Sequence, residues 1–212
     1  MKTLLALSAL VAAQLLSLSA GAADVVGPTA APNRDAFEWS AGAGAVGGGD
    51  CGGIVATGTV LARTDVFAYG GTLEAGGALA TRLGLAGTAG LSFRDASGFG
   101  LDLLGVVGVH RYNGVGRGIL TDDPGVGATL PFAGGRLRAV YAFGPGPRHF
   151  QLGLGVGVDR DLSRTTRNYT YQETPWLNLG GSSGPVTRNE SRTIGFTTVG
   201  ATIDFGMSFD AL

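Results

Sequence analysis

From Thr198 to Phe209 the chain alternates without a break. Val199, Ala201, Ile203, Phe205, Met207 and Phe209 interleave with Gly200, Thr202, Asp204, Gly206 and Ser208. A period of two places the first set on one face of an extended strand and the second on the other; a helix would need a period near 3.6. Phe150, Leu152, Leu154, Val156 and Val158 repeat the pattern against Gln151, Gly153, Gly155, Gly157 and Asp159. One face is bulky and apolar, the other small or charged.

Earlier segments follow suit. Leu83, Leu85, Ala89, Leu91 and Phe93 oppose Gly84, Thr88, Gly90 and Ser92, while Phe67, Tyr69, Leu73 and Leu79 oppose Gly70, Thr72, Glu74 and Gly76. Phe37 and Trp39 oppose Glu38 and Ser40. Phe99, Leu101, Leu103, Val107 and Val109 oppose Asp102, Gly108 and His110, although Leu104 and Val106 blur that strand. Residues 54–62 alternate least regularly.

Composition narrows the choice of solvent. The chain is 44% hydrophobic and only 15% charged, with 39 glycines, whereas soluble domains carry roughly 25% charged residues and long helices avoid glycine. Beyond the first residues it has no apolar run long enough for a spanning helix. A chain that is apolar on average yet alternating can still cross a bilayer as a closed barrel, which satisfies every backbone group internally. A soluble lipocalin-like barrel with an apolar interior is the alternative, but its outer face would here be mostly Gly, Ser and Thr.

Residues 1–22 have the three parts of a secretory signal: Met1-Lys2, an apolar stretch from Leu4 to Leu18, and the small residues Ala20-Gly21-Ala22. Cleavage is expected after Ala22, leaving a linker over 23–35 and one barrel domain over 36–212. Lys2 is the lone lysine, so 14 arginines face 16 acids beyond the signal, a net charge of −2 that gives no reason to expect nucleic acid as a partner. Cys51 is the single cysteine, which excludes an internal disulfide.

The connections are of two kinds that alternate. Arg63-Thr64-Asp65, Arg94 to Ser97 and Gly144 to Pro147 are tight; Gly47 to Gly53, Asn113 to Pro124 and Asp161 to Arg192 are long. Short periplasmic turns and longer outer loops are the mark of an outer-membrane barrel, which puts 161–192 outside. Between Gly125 and Gly144 the apolar parity changes, from Val126, Ala128, Leu130 and Phe132 to Leu137, Ala139, Tyr141 and Phe143. A hairpin at Ala133-Gly134-Gly135 would make nine strands, so a glycine bulge in one long strand is the reading. The expected fold is therefore all-β: a closed antiparallel up-and-down transmembrane barrel of eight strands, or ten if another turn is hidden.

With that architecture the chain resembles the small OmpA/OmpX-type outer-membrane β-barrels over nearly all of its mature length. Residues 203–209, Ile-Asp-Phe-Gly-Met-Ser-Phe, resemble the family's C-terminal assembly signal, although Asp210-Ala211-Leu212 extend beyond the final aromatic. The resemblance implies outer-membrane localisation, surrounding lipid, and the barrel-insertion machinery as a partner during assembly.

By parity, Glu38, Glu74, Asp102, Arg138, Asp159 and Asp204 face the lumen, with Arg136 and His110 nearer strand ends. Confined charges need partners, so a salt-bridged plug is expected, with a narrow channel as the alternative. His110-Arg111-Tyr112-Asn113-Gly114 invites comparison with outer-membrane lipid A deacylases, but Tyr112 stands where their serine would be. No catalytic set and no cofactor site can be assembled, and two separated histidines with one cysteine offer no metal cluster. Gly153-Leu154-Gly155-Val156-Gly157 reads as lumen-facing glycines, not a phosphate loop. In the long loop, Arg167, Tyr169, Tyr171 and Trp176 are candidate contacts to an envelope or surface protein; the bland alternative continues Tyr169 and Tyr171 along a barrel strand and puts Trp176 in the aromatic girdle. Display of outer loops by a non-catalytic barrel is the expected function, ahead of a narrow channel and a lipid-modifying enzyme.

Overall fold

The computed structural model describes residues 36–49, 52–78, 80–117, 122–144, 147–173 and 184–210. The proposed signal peptide, the linker, Cys51 and Trp176 lie outside the described residues. Among the described residues ten strands follow in chain order: β1 (Ala36–Gly47), β2 (Gly53–Thr64), β3 (Phe67–Gly77), β4 (Thr81–Arg94), β5 (Phe99–Val115), β6 (Val126–Phe143), β7 (Arg148–Asp161), β8 (Thr165–Glu173), β9 (Val186–Ile194) and β10 (Thr197–Asp210). Eight of them close into one barrel in the order β1-β10-β7-β6-β5-β4-β3-β2, every pairing antiparallel. Closure comes from β1, which pairs with β2 on one side and β10 on the other, so no barrel strand is left with an open edge.

The two remaining strands, β8 and β9, pair only with each other, from Thr165↔Ile194 to Glu173↔Val186. The long connection is thus a separate hairpin rather than an irregular loop, and Tyr169 and Tyr171 do not prolong a barrel strand. Polar, arginine-rich strands such as Thr-Thr-Arg-Asn-Tyr-Thr-Tyr-Gln-Glu have no greasy face to report them in the sequence. At the same end, β3 stops at Gly77 and β4 begins at Thr81, a short connection that breaks the strict alternation of tight and long ones.

The expected glycine bulge at 133–135 is corrected. Pairing of β6 runs without a shift from Tyr141↔Phe99 to Ala128↔Tyr112 on one side and from Phe143↔Phe150 to Phe132↔Asp161 on the other. The register shift lies instead at the far end of β5, between Tyr112 and Val115, where Gly114 takes a φ of 73°. Even-numbered residues of β6 point inward along its whole length; what changes is the filling of the lumen. Arg136 and Arg138 enter a charged zone, whereas Leu130 and Phe132 enter an apolar one. Leu104 and Val106, which blurred the pattern in β5, are inward for the same reason: both are buried, Leu104 against Leu61 and Ala68, Val106 against Ala86 and Phe132.

Outside, the barrel carries an apolar band. Phe67 is 61% exposed, Phe205 63% and Leu85 59%, with Leu73, Leu103, Val107, Val158 and Ile203 among many alike. The aromatic members gather toward the end that holds both Ala36 and Asp210: Phe37, Trp39, Phe67, Tyr69, Phe93, Tyr141, Phe143 and Phe150. That end is termed the turn end, and the opposite one, with the β8–β9 hairpin, the loop end.

Candidate functional site

Side chains that alternate inward along eight tilted strands meet around a common axis, so residues distant in sequence become neighbours in the lumen. All six acids and bases assigned inward by parity, Glu38, Glu74, Asp102, Arg138, Asp159 and Asp204, are buried there. They belong to two layers.

The layer nearer the turn end has three carboxylates and three guanidiniums. Arg138 from β6 reaches Asp204 of β10, with Nη2 donating to Oδ2 at 2.6 Å and Nε to the same oxygen at 2.9 Å, while Nη1 donates to Asp102 Oδ2 at 3.3 Å. Arg94 donates from Nη1 to Asp102 Oδ1 at 2.6 Å and from Nη2 to Glu38 Oε1 at 3.2 Å. Arg63 pairs with Glu38 at 3.1 Å, and the Ser92 hydroxyl donates to Asp102 at 2.7 Å. Arg63 and Arg94 were read from sequence as turn residues. Arg63 is the penultimate residue of β2 and Arg94 the last of β4, and their length lets each guanidinium reach into the lumen beside the turn.

The second layer holds Glu74 between Arg82 and Arg136. Arg82 Nη2 donates to Glu74 Oε2 at 2.6 Å and Nη1 to the Thr198 hydroxyl at 2.8 Å. Arg136 Nη2 donates to Glu74 Oε1 and, at 2.9 Å, to Asp159 Oδ2. Between the layers lies a cavity of about 80 Å³ lined in part by Thr57, Thr59, Thr72, Thr88 and Thr202. It has room for a few water molecules at roughly 30 Å³ each.

Glycine makes the lattice fit. A Cβ on Gly153 would stand 2.5 Å from Asp204 Oδ2, and one on Gly157 would stand 2.6 Å from Arg136 Cδ. Gly153 and Gly157 are therefore floors on which charged side chains lie, whereas at Gly70, Gly90 and Gly206 a Cβ would meet the neighbouring strand itself.

Above the second layer, His110 stacks on Phe132 with ring centres 3.7 Å apart and planes 3° from parallel. Its Nδ1 lies 3.1 Å from Asp161 Oδ1, and the Tyr112 hydroxyl donates to Asp161 Oδ2 at 2.8 Å. Asp161 also accepts from the Phe196 backbone N–H at 2.9 Å. Ala80, Tyr112, Val115, Leu130 and Ile194 then pack into an apolar cluster that caps the lumen, flanked by Phe196. Sequence reading brings out neither Asp161 nor Arg82 as a lumen residue, and Tyr112 only as the residue in place of a serine; their inward parity is the available signal. Glu74, His110 and Asp159, which sequence spacing does not bring together, offer one potential ligand atom each, all within 4.8 Å of one another.

Of the outer-loop candidates, Tyr169 and Tyr171 stack on one face of β8 at 6.0 Å, and Arg167 is exposed. The Tyr169 hydroxyl donates to Asp123 Oδ1 at 2.8 Å, and Arg192 pairs with the same carboxylate at 3.7 Å. Asp123 in turn accepts from the Gly125 N–H at 2.8 Å. Tyr169 is thus a docking residue that ties the hairpin to the 122–125 segment. Burial, then the Asp123 carboxylate, raise its pKa above the ordinary tyrosine value, despite an opposing effect of Arg192.

No family model and no curated protein matches the chain. Among solved structures it is similar to the β domain of the Bordetella autotransporter BrkA, at 10% identity and a TM-score of 0.40, over 84% of this chain and all of that one. A superposition that loose has no bearing on function.

Proposed function

We propose that the chain is a bacterial outer-membrane barrel of the small OmpA/OmpX type, with a closed lumen, whose task is to hold the β8–β9 hairpin at the cell surface for a protein partner of the envelope or cell exterior. The observation that carries the membrane reading is the outward face: large apolar side chains ring the barrel, while most of the charge within its wall is buried in the lumen. Soluble monomers rarely expose contiguous apolar patches beyond a few hundred Å². Lipid outside and charge inside is the arrangement expected of a membrane barrel, with the aromatic band of the turn end at the periplasmic interface.

The filled lumen favours display over conduction. Among the described residues, two ion-pair layers and an apolar cap succeed one another along the axis, with the 80 Å³ cavity between the layers. Catalysis is equally disfavoured at His110, which is 1% exposed and has Tyr112, not a serine, as its hydroxyl neighbour.

The test is a deletion. Replacing residues 166–191 by a tight turn removes most of the hairpin but keeps Ile194 and Phe196, which help close the lumen. The shortened protein should insert into detergent or vesicles and migrate differently on a gel before and after boiling, as the full chain should. Binding to cells or envelope extracts should be lost. A folded deletion protein that keeps all binding would refute hairpin display, and a full chain that stays soluble without detergent would refute the membrane reading.

A further inference from the structure

We propose that Glu74, His110 and Asp159 form a site for one divalent transition-metal ion of the zinc class inside the barrel. The cluster is wholly buried, and its ligand atoms converge from three strands, β3, β5 and β7. His110 Nε2 is buried and has no hydrogen-bond partner, with Glu74 Oε2 4.0 Å away. Asp159 Oδ1 is likewise buried without a partner. Buried polar atoms left unpaired carry a desolvation penalty, which an occupant would relieve.

The other side of the imidazole is built as a metal-binding histidine requires. Nδ1 lies 3.1 Å from Asp161 Oδ1, and in the neutral ring donation of its N–H to that carboxylate leaves the lone pair on Nε2, facing the cluster. Phe132, stacked on the ring, holds its plane. Charge favours a cation: in the described lumen, Glu38, Glu74, Asp102, Asp159, Asp161 and Asp204 outnumber Arg63, Arg82, Arg94, Arg136 and Arg138 by one. One nitrogen and two carboxylates suit zinc, with water as a fourth ligand. In a tetrahedral set with bond lengths of about 2.0–2.2 Å the ligand atoms stand roughly 3.3–3.6 Å apart, so atoms now within 4.8 Å of one another must close by up to about 1.2–1.5 Å when the ion binds. Arg82 and Arg136 share the Glu74 carboxylate with the ion and moderate its affinity.

The experiment uses the full chain folded in detergent, stripped with a chelator, then titrated with zinc chloride against a chromophoric indicator and with cobalt(II) read by its visible absorption. Each metal is supplied both during refolding and afterwards, since the site is enclosed. One equivalent should bind, with a nitrogen- and oxygen-ligated cobalt spectrum. His110→Gln should abolish saturable binding, Glu74→Gln and Asp159→Asn should weaken it at least tenfold, and Asp161→Asn by about 10- to 100-fold through the imidazole. His149→Gln should leave it unchanged, because His149 pairs with Asp210 away from the cluster, at 3.5 Å. Each variant is first shown to be folded by its gel shift. No saturable binding by the parent chain under either regime, or binding that persists in folded His110→Gln, overturns the proposal. So does binding lost in His149→Gln alone. If His110→Gln does not fold, the two carboxylate variants decide the matter: unchanged affinity in both overturns it.

Discussion

Arg138→Met puts the lumen lattice to a quantitative test. The Arg138 guanidinium is the cation seen on Asp204, through two nitrogens at 2.6 and 2.9 Å, and it also reaches Asp102 at 3.3 Å. Methionine keeps much of the length and removes the charge. Asp102 retains Arg94 and Ser92, but Asp204, 5% exposed, is left as a buried carboxylate without its cation. Breaking one half of a buried pair costs about 3–5 kcal/mol, largely the penalty of the stranded charge. The folded-to-unfolded ratio should fall by two to three and a half decades, since each 1.4 kcal/mol is a factor of ten. Removing the stranded charge as well, in Arg138→Met with Asp204→Leu, should recover most of the loss, because an apolar pair of similar volume often replaces a buried ion pair at little cost. Reversible urea unfolding from lipid vesicles, followed by tryptophan fluorescence and checked by gel shift, measures all three free energies at constant slope. A single variant within about 1 kcal/mol of the parent would refute the claim that the lattice is tightly paired. So would a double variant no better than the single one.

Three further outcomes follow from the same geometry. Arginine at Ile203, which faces outward at 55% exposure, should cost about 2–4 kcal/mol if it sits near the bilayer midplane; vesicle unfolding that shows no loss would count against the lipid-facing assignment. Gly153→Val should cost about 1–3 kcal/mol by overpacking against Asp204, whereas a spacious, water-filled lumen would tolerate it in the same assay. Tyr169→Phe should speed amide exchange in β8 and β9 without altering barrel stability. Because the folded hydroxyl has a raised pKa, its contribution is complete below the ordinary tyrosine value of 10.0 and is lost as pH rises through the higher folded value; protection of the hairpin amides, taken relative to their intrinsic base-catalysed exchange rate, should fall in that alkaline window and hold steady below it.

Much of this architecture is written in local pattern. In an extended strand the side of each residue follows from its parity alone, so Val199 to Phe209 and Phe150 to Val158 declare an apolar face and a polar one before any partner is known. With no spanning helix and 15% charge, closure into a barrel was the remaining solution, and Glu38, Glu74, Asp102, Arg138, Asp159 and Asp204 were assigned inward on parity alone. Parity is silent about height and about neighbours. Leu130 and Phe132 were misread as a change of face because the lumen itself changes from charged to apolar along its axis, and that gradient exists only once eight strands are staggered around it. The hairpin escaped notice because β8 and β9 bury little and so carry no alternation of hydrophobicity. Which arginine meets which acid, and the meeting of Glu74 with His110 and Asp159, depends on tilt and register across strands that are distant in sequence. Side-chain direction is set within one residue of backbone and could be read from the chain, whereas contact across a lumen is set by the shear of the closed sheet, which the tertiary structure alone decides.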